Sequence, residues 1–133
     1  MITSTFFSVT KIKNFAEFYA SATKFKTRYF LTYMSIKKTH NPRALFQFAI
    51  VASKKGVHKR AVQRNRARRR LKAALHCYLK NAVLPLGIEI QVLFMANRNV
   101  LDAKWEDLYE IVQTAIQKVL ANCTVLQNER EDA

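Results

Sequence analysis

The sequence has few of the residues that usually separate folded segments. Its 133 residues include two glycines, Gly56 and Gly87, and two prolines, Pro42 and Pro85. Flexible linkers are rich in such residues, and each of the four stands at the boundary of a predicted element, so no interdomain linker is expected. Length and composition therefore predict one domain, residues 1–121, followed by a polar tail, residues 122–133, that is disordered or frayed.

Cysteine clusters and long apolar runs are also absent. Cys77 and Cys123 lack the short spacing of zinc sites, and two such residues make no disulfide framework, so two reduced thiols are expected. No apolar run approaches the roughly 18–20 residues of a membrane-spanning helix. The N-terminus lacks the basic region and unbroken apolar stretch of a signal peptide. These absences predict a cytoplasmic protein with no membrane partner.

Acidic residues are missing from the middle of the chain. Between Phe18 and Ile88 there is no Asp or Glu, whereas 17 of the 23 Lys and Arg residues lie there. The formal net charge is +14. A small protein with so uneven a charge usually neutralises a polyanion, and nucleic acid is the commonest one. An anionic membrane surface could attract the same charge.

Hydrophobic periodicity predicts alternating helices and strands. Helices are predicted for residues 11–21, with Thr10 as a possible N-cap, for residues 57–81, and for the segment after an N-cap at Asp102, where an apolar stripe runs from Trp105 to Leu120. Strands are predicted for residues 26–36, 44–53 and 87–95. With room for a further short strand, this order predicts an α/β sandwich in which helices pack on one sheet.

The helix predicted for residues 57–81 carries the densest positive charge. At about 100° per residue, its apolar residues fall on one side, namely Ala67, Leu71, Ala74, Leu75, Tyr78 and Leu79. Its polar residues fan across the other side, namely Lys59, Asn65, Arg66, Arg69, Arg70 and Lys72. Arg64 and Arg68 flank the apolar side and are expected to extend outward along their aliphatic stems.

This outer side differs from an ordinary solvated helix face. Solvated faces usually mix charges and gain from ion pairs three or four residues apart, but no carboxylate is available here. Like charges therefore repel each other unless a polyanion offsets the repulsion. Guanidinium groups can grip a phosphate with two hydrogen bonds and stack on a base, which favours a folded RNA as the partner.

Two sets of motifs resemble those of the bacterial ribonuclease P protein family. The first is Ser53-Lys54-Lys55 at the end of a strand, followed by Arg64-Asn65-Arg66-Ala67-Arg68-Arg69. The second is Asn14-Phe15-Ala16-Glu17-Phe18-Tyr19, followed by Arg28-Tyr29-Phe30-Leu31-Thr32-Tyr33. The resemblance extends over residues 9–120, which is nearly the whole chain.

The resemblance implies a fold and an activity. The fold is α+β, a two-layer α/β sandwich of order αβββαβα with one central sheet and a left-handed βαβ crossover, although the general rule favours right-handed ones. The chain would be the protein subunit of ribonuclease P, in a 1:1 complex with a catalytic RNA. That RNA, using Mg²⁺ held mainly by itself, would remove the 5′ leader of precursor tRNA. Catalysis of this endonuclease reaction would thus belong to the RNA.

The resemblance also implies two binding surfaces and no catalytic or metal-binding residue. The catalytic RNA would contact Lys54, Lys55, Lys59, Arg60, Arg64, Asn65, Arg66, Arg68, Arg69, Arg70 and Lys72. The single-stranded leader would stack on Phe15, Tyr19 and Tyr33, whereas Phe18 and Phe30 are expected in the core. No metal-ligand or catalytic spacing stands out among the three histidines, and His58 is expected to contact phosphate or solvent.

Two other functions are compatible with the charge. A ribosomal or other structural RNA-binding protein without a role in cleavage would explain the basic helix but not the paired motifs. A DNA-binding protein could insert that helix into a major groove, but no helix-turn-helix or dimer signal accompanies it.

Overall fold

The computed structural model describes residues 3–4, 7–39, 44–85 and 87–131, and the side chains of residues 9–39, 45–85 and 87–123. The described residues form seven strands and four helices. In chain order they are β1 (Thr3–Ser4), β2 (Phe7–Lys11), α1 (Phe15–Ser21), β3 (Thr23–Lys26), β4 (Phe30–Lys38), β5 (Ala44–Val51), α2 (Ala61–Leu79), β6 (Leu84–Pro85), β7 (Ile88–Ala96), α3 (Asn99–Asp102) and α4 (Trp105–Glu131).

Five strands form one mixed sheet in the order β2-β5-β7-β4-β3. The central strand β7 pairs parallel with β5, with Phe48 opposite Val92, and antiparallel with β4, with Met34 opposite Val92. β2 pairs parallel with the outer edge of β5, and β3 pairs antiparallel with β4. β1 and β6 make a separate antiparallel pair.

Alternation along the strands gives the sheet two apolar faces. On β7, Ile90, Val92 and Phe94 belong to the main core, which they share with the inner sides of α2 and α4. Leu93 points to the opposite face, because successive side chains alternate. There it packs with the fully buried Phe18 of α1. α1 therefore lies on the face opposite the larger helices.

The predicted mixed α+β fold with one central sheet is confirmed. The elements α1, β3, β4, β5, α2, β7 and α4 follow the order αβββαβα. α2 links the adjacent parallel strands β5 and β7, which is the connection that the predicted crossover requires. The left hand of that crossover stays a prediction.

The first helix begins later than predicted. Residues 7–11 form β2, and α1 begins at Phe15 with Asn14, not Thr10, as its N-cap. The Asn14 side chain accepts a hydrogen bond from the backbone N–H of Glu17 at 3.1 Å and donates to the Glu17 carboxylate at 3.3 Å. These reciprocal hydrogen bonds cap the first turn of the helix better than a threonine side chain alone would. Because α1 begins only at Phe15, Lys11 is left to pair with β5.

The strand predicted for residues 26–36 combines parts of two strands. β3 ends at Lys26 and β4 begins at Phe30. Between them the Thr27 hydroxyl accepts from the Phe30 backbone N–H at 3.2 Å and turns the chain. Because Tyr29 is buried within the turn, the apolar pattern continues across the break and conceals it.

The residue predicted to cap the last helix does not do so. Asp102 is the last residue of α3, and Ala103 is extended. The backbone N–H of Leu108 donates to the Lys104 carbonyl at 3.0 Å, so α4 begins three residues after Asp102. Glu106 and Asp107 lie in its first turn, as predicted, where carboxylates interact favourably with the helix dipole.

α4 also continues through the predicted domain boundary at residue 121 to Glu131, and Cys123 is buried in the core. A frayed tail stays a prediction. Both cysteines are free thiols. Among the residues that the structure describes, no helix is long and apolar enough to cross a membrane.

Candidate nucleic-acid interface

Helix α2 has the predicted apolar inner side. Ala67, Leu71, Ala74 and Leu75 are fully buried, and Leu79 is 5% exposed. This side belongs to the main core together with residues of the sheet, as the predicted packing of helices on one sheet requires. The helix is shorter than predicted, because Val57 is buried in a turn and Arg60 is the N-cap residue.

The outer side of α2 and the segment before it are cationic and exposed. The exposed cations of the predicted RNA-binding set are Lys54, Lys55, Lys59, Arg60, Arg66, Arg68, Arg69 and Lys72. Among the described residues there is one ion pair, between Lys37 and Glu17 at 2.9 Å, and it lies outside this set. Within the described part of the chain, no carboxylate thus forms an ion pair with a cation of the α2 surface.

Lys54 and Lys55 stand at the tip of a tight turn between β5 and α2. The Ser53 hydroxyl accepts from the Gly56 backbone N–H at 2.9 Å, and the Val57 N–H donates to the Ser53 carbonyl at 3.0 Å. A Cβ at position 56 would lie 2.8 Å from the Ser53 hydroxyl and 3.3 Å from the Ala96 carbonyl. A side chain at this position would have to displace the Ser53 hydroxyl and the hydrogen bond that it accepts, so glycine suits the turn.

Arg64 braces the start of α2. Its Nη1 donates to the backbone carbonyl oxygens of Lys59 at 2.7 Å and of His58 at 3.2 Å. These carbonyls belong to the segment before the helix, so the side chain folds back onto the protein. The predicted outward extension of Arg64 is wrong, because free carbonyls lie within reach of its guanidinium.

Arg68 links two parts of the surface. Its Nη1 donates to the Asn65 side-chain oxygen at 2.6 Å, and its Nη2 donates to the Ala52 carbonyl at 3.2 Å, just after β5. Asn65 is thereby oriented by Arg68. Both residues remain exposed, and the remaining donors of each can face a ligand.

Arg70 holds α3 against α2. Its guanidinium donates to the carbonyls of Val100, Leu101 and Ala103, which lie at the C-terminal end of α3. The side chain is half-buried. Cations are favourable near helix C-termini, where carbonyls have no partner within the helix. The predicted RNA contact of Arg70 stays a prediction beside this structural role.

The aromatic residues predicted for the leader form one cluster beside α1. Phe15 and Tyr19 are each 44% exposed, with ring centroids 6.4 Å apart. Tyr19 meets Tyr33 of β4 edge to face at 5.4 Å. Phe18 and Phe30 are fully buried, so their predicted place in the core is confirmed. The cluster offers exposed rings on which unpaired bases could stack.

A groove of about 800 Å³ joins the aromatic and basic surfaces. Its floor is apolar and its rim is largely cationic, and it is lined by Lys11, Ile12, Phe15, Phe48, Ala49, Ile50, Val62, Asn65, Arg68, Arg69 and Lys72. Lys11 and Val62 are absent from the predicted set. Lys11 is missed because it is predicted to begin a helix, whereas it ends β2, which brings this cation to the groove.

The described side chains contain no group of three or more His, Cys, Asp and Glu residues that could hold a metal ion.

Comparison with solved structures gives the fold class. The ribonuclease P protein of Staphylococcus aureus is 19% identical, with 86% of this chain and 94% of that chain covered and a TM-score of 0.55. A mutant of that protein with defective mRNA degradation activity is 19% identical, with coverages of 86% and 87% and a TM-score of 0.56. The ribonuclease P protein of Thermotoga maritima is 12% identical, with coverages of 83% and 94% and a TM-score of 0.55. The fold is thus that of ribonuclease P proteins.

The family follows from the sequence itself. The sequence model of the family described as Ribonuclease P matches residues 5–120. The chain belongs to the ribonuclease P protein family. Its role is that of a subunit in tRNA processing, with an RNA partner in a ribonucleoprotein. A search of curated protein sequences finds no match.

Proposed function

We propose that this chain binds the catalytic RNA of ribonuclease P in a 1:1 complex in the cytoplasm and assists removal of the 5′ leader from precursor tRNA. The observation that carries the proposal is the row of exposed cations on and before α2, without a carboxylate partner among the described residues. Lys59, Arg66, Arg69 and Lys72 provide its phosphate contacts.

The groove and the aromatic cluster support a second contact, with the leader. Phe15 lies in both features, so a strand that stacks on the cluster can continue along the groove. There its phosphates meet the cationic rim at Lys11, Arg69 and Lys72. Stacking tolerates any base, and phosphate contacts read no sequence, so this surface suits leaders of varied sequence.

Charge neutralisation is the chain's contribution to the reaction. A catalytic RNA and its tRNA substrate are both polyanions, and their association needs counterions. A protein of net charge +14 placed between them replaces part of that counterion atmosphere. In this proposal Mg²⁺ would be held mainly by the RNA and would supply the activation of water and the stabilisation of the leaving oxygen. The chain positions the leader and lowers the electrostatic repulsion between the catalytic RNA and its tRNA substrate.

Affinity purification of the tagged full-length chain from its own cells, with sequencing of the bound RNA, tests the proposal. We expect one structured RNA together with precursor tRNAs. Recovery in ribosomal subunits would contradict the proposal and favour a structural ribosomal role. A charge-reduced variant with Arg66→Ala and Arg69→Ala is the control, and it should recover less of the same RNA.

A further inference from the structure

A polar pocket of about 420 Å³ lies where the start of α2 meets the segment after β7. It is lined by His58, Gln63, Arg66, Arg98, Leu101 and Asp102. We propose that this pocket binds one ribonucleotide of the RNA partner. The phosphate contacts Arg66, Arg98 and His58, and the ribose 2′-hydroxyl contacts Asp102. The proposal rests on the RNA-binding function above, and it adds two residues to it, Arg98 and Asp102.

The two arginines make the pocket an anion site. Arg98 Nε donates to the Val57 carbonyl at 3.4 Å, which holds the side chain while its two terminal nitrogens remain available. Arg66 is exposed, and none of the described residues accepts a hydrogen bond from its guanidinium. Two guanidinium groups face one carboxylate, so the pocket carries net positive charge. A phosphate oxygen pair matches the planar donors of such groups.

A backbone contact leaves the Nε2–H of His58 as a further hydrogen-bond donor for the pocket. Its Nδ1 accepts a hydrogen bond from the Arg60 backbone N–H at 3.0 Å. In a neutral imidazole the nitrogen that accepts carries no proton, so the proton resides on Nε2. Nε2–H is therefore a donor for a ligand in the pocket. The same backbone contact fixes the orientation of the ring.

The walls of the pocket are braced from both sides. Arg64 donates to the His58 carbonyl at 3.2 Å and holds the segment before α2. Arg70 donates to the carbonyls of Val100 and Leu101 and holds α3, which carries Leu101 and Asp102. A ligand then meets donors that are already in place, so little ordering entropy is lost on binding.

Asp102 gives the pocket a preference for RNA. Among the described residues it forms no ion pair, although it shares the pocket with two arginines. A carboxylate repels a bare phosphate, so a ligand with a hydrogen-bond donor next to its phosphate fits the pocket better than phosphate alone. A ribose 3′-phosphate does so through its 2′-hydroxyl, and that hydroxyl is the group that separates RNA from DNA. A ribonucleotide thus offers a phosphate to the two arginines and a hydroxyl donor to the Asp102 carboxylate.

Side-chain NMR of the full-length protein tests the pocket directly. The probes are adenosine 3′-monophosphate, 2′-deoxyadenosine 3′-monophosphate and inorganic phosphate, and the readouts are the Arg98 Nε–H and His58 ring signals. We expect the ribonucleotide to shift both signals at a concentration at least threefold lower than the other two probes. In Asp102→Ala that advantage should disappear. In Arg98→Ala the His58 shift should be lost.

Other outcomes would overturn the inference. If neither signal shifts with any probe, the pocket does not bind a nucleotide. If the wild type responds equally to the three probes, Asp102 does not select for the 2′-hydroxyl. Binding of the ribonuclease P RNA by wild type, Arg98→Ala and Lys80→Ala separates this inference from the function on which it rests. Arg98→Ala should weaken binding about fivefold and lower the salt slope by about one, whereas Lys80→Ala should not. If Arg98→Ala binds the RNA as tightly as wild type does, the pocket is not an RNA contact, but the proposed function stands. If the wild-type protein does not bind the RNA, the proposed function itself is contradicted.

Discussion

Arg64 Nη1 lies 2.7 Å from the backbone carbonyl oxygen of Lys59, five residues earlier in the chain. The contact ties the first turns of α2 to the segment that leads into it. Arg70 makes the equivalent tie to α3 through three carbonyls. Two arginines of the basic helix therefore hold the framework, and their neighbours Arg66 and Arg69 project from it as exposed cations.

Lysine at these two framework positions should be a poor substitute. Arg64→Lys and Arg70→Lys keep the charge but shorten the side chain by one bond. The variants therefore lose the reach of Arg64 Nη1 to two carbonyls and the paired donors with which Arg70 reaches three. Hydrogen bonds to charged groups contribute about 1.5–3 kcal/mol, and partial exposure reduces this, so we expect a loss of about 1 kcal/mol for each variant. Urea denaturation measures it. Arg66→Lys is the control and should unfold at the wild-type midpoint; equal midpoints for all three variants would contradict the framework role.

Exposed arginines should control the salt dependence of RNA binding. Each phosphate contact releases about one counterion, so Arg66→Ala and Arg69→Ala should each lower the slope of log K against log salt by about one. Filter binding to the cognate RNA at several salt concentrations measures the slope. Lys80→Ala lies at the other end of α2 and should keep the wild-type slope. Unchanged slopes for the two arginine variants would remove them from the interface.

Phe15→Ala should weaken binding of precursor tRNA and spare mature tRNA. Stacking of a single-stranded base on an aromatic ring is worth about 1–3 kcal/mol, and mature tRNA has no leader to stack. Affinities of the ribonucleoprotein for the two RNAs measure the difference. Trp105→Ala is a matched control, because Trp105 is 40% exposed against 44% for Phe15 but begins α4. If both variants lose the same affinity, the aromatic cluster is not the leader site.

The two cysteines should differ sharply in reactivity. Burial raises the pKa of Cys123 to about 12, and the thiolate is the form that reacts. The raised pKa means that the folded protein keeps this thiol protonated at pH 8, whereas Cys77 is exposed. A thiol reagent at pH 8 should label one cysteine in the native protein and two in urea. Cys77→Ser should abolish native labelling; persistent native labelling of that variant would contradict the burial of Cys123.

Hydrophobic periodicity predicts the longer helices and strands, and it fails where a single contact determines where an element begins or ends. The inner side of α2 is predicted correctly because Ala67, Leu71 and Leu75 recur at helical spacing. β2 is missed because its five residues are few for a period and the predicted helix already begins at Lys11, whereas parallel pairing with β5 stabilises the strand. β6 and α3, at two and four residues, are too short to show a period.

The candidate site, too, is only partly predictable from the sequence. Residue type and spacing predict a cationic face, and the exposed Arg66, Arg69 and Lys72 lie on it. The framework role of Arg70 is invisible in sequence because its partners are distant: it binds carbonyls some thirty residues later. Arg98 is missed for the same reason, since only the fold brings it to the start of α2.

The magnesium dependence of precursor tRNA cleavage tests the central claim most directly. The cognate ribonuclease P RNA is assayed alone, with wild-type protein, and with the Arg66→Ala, Arg69→Ala double variant, over a range of Mg²⁺ concentrations. If the chain supplies positive charge to an RNA catalyst, the wild-type protein shifts the curve to lower Mg²⁺ and the double variant shifts it less. A magnesium curve that is the same with and without the wild-type protein would contradict the account.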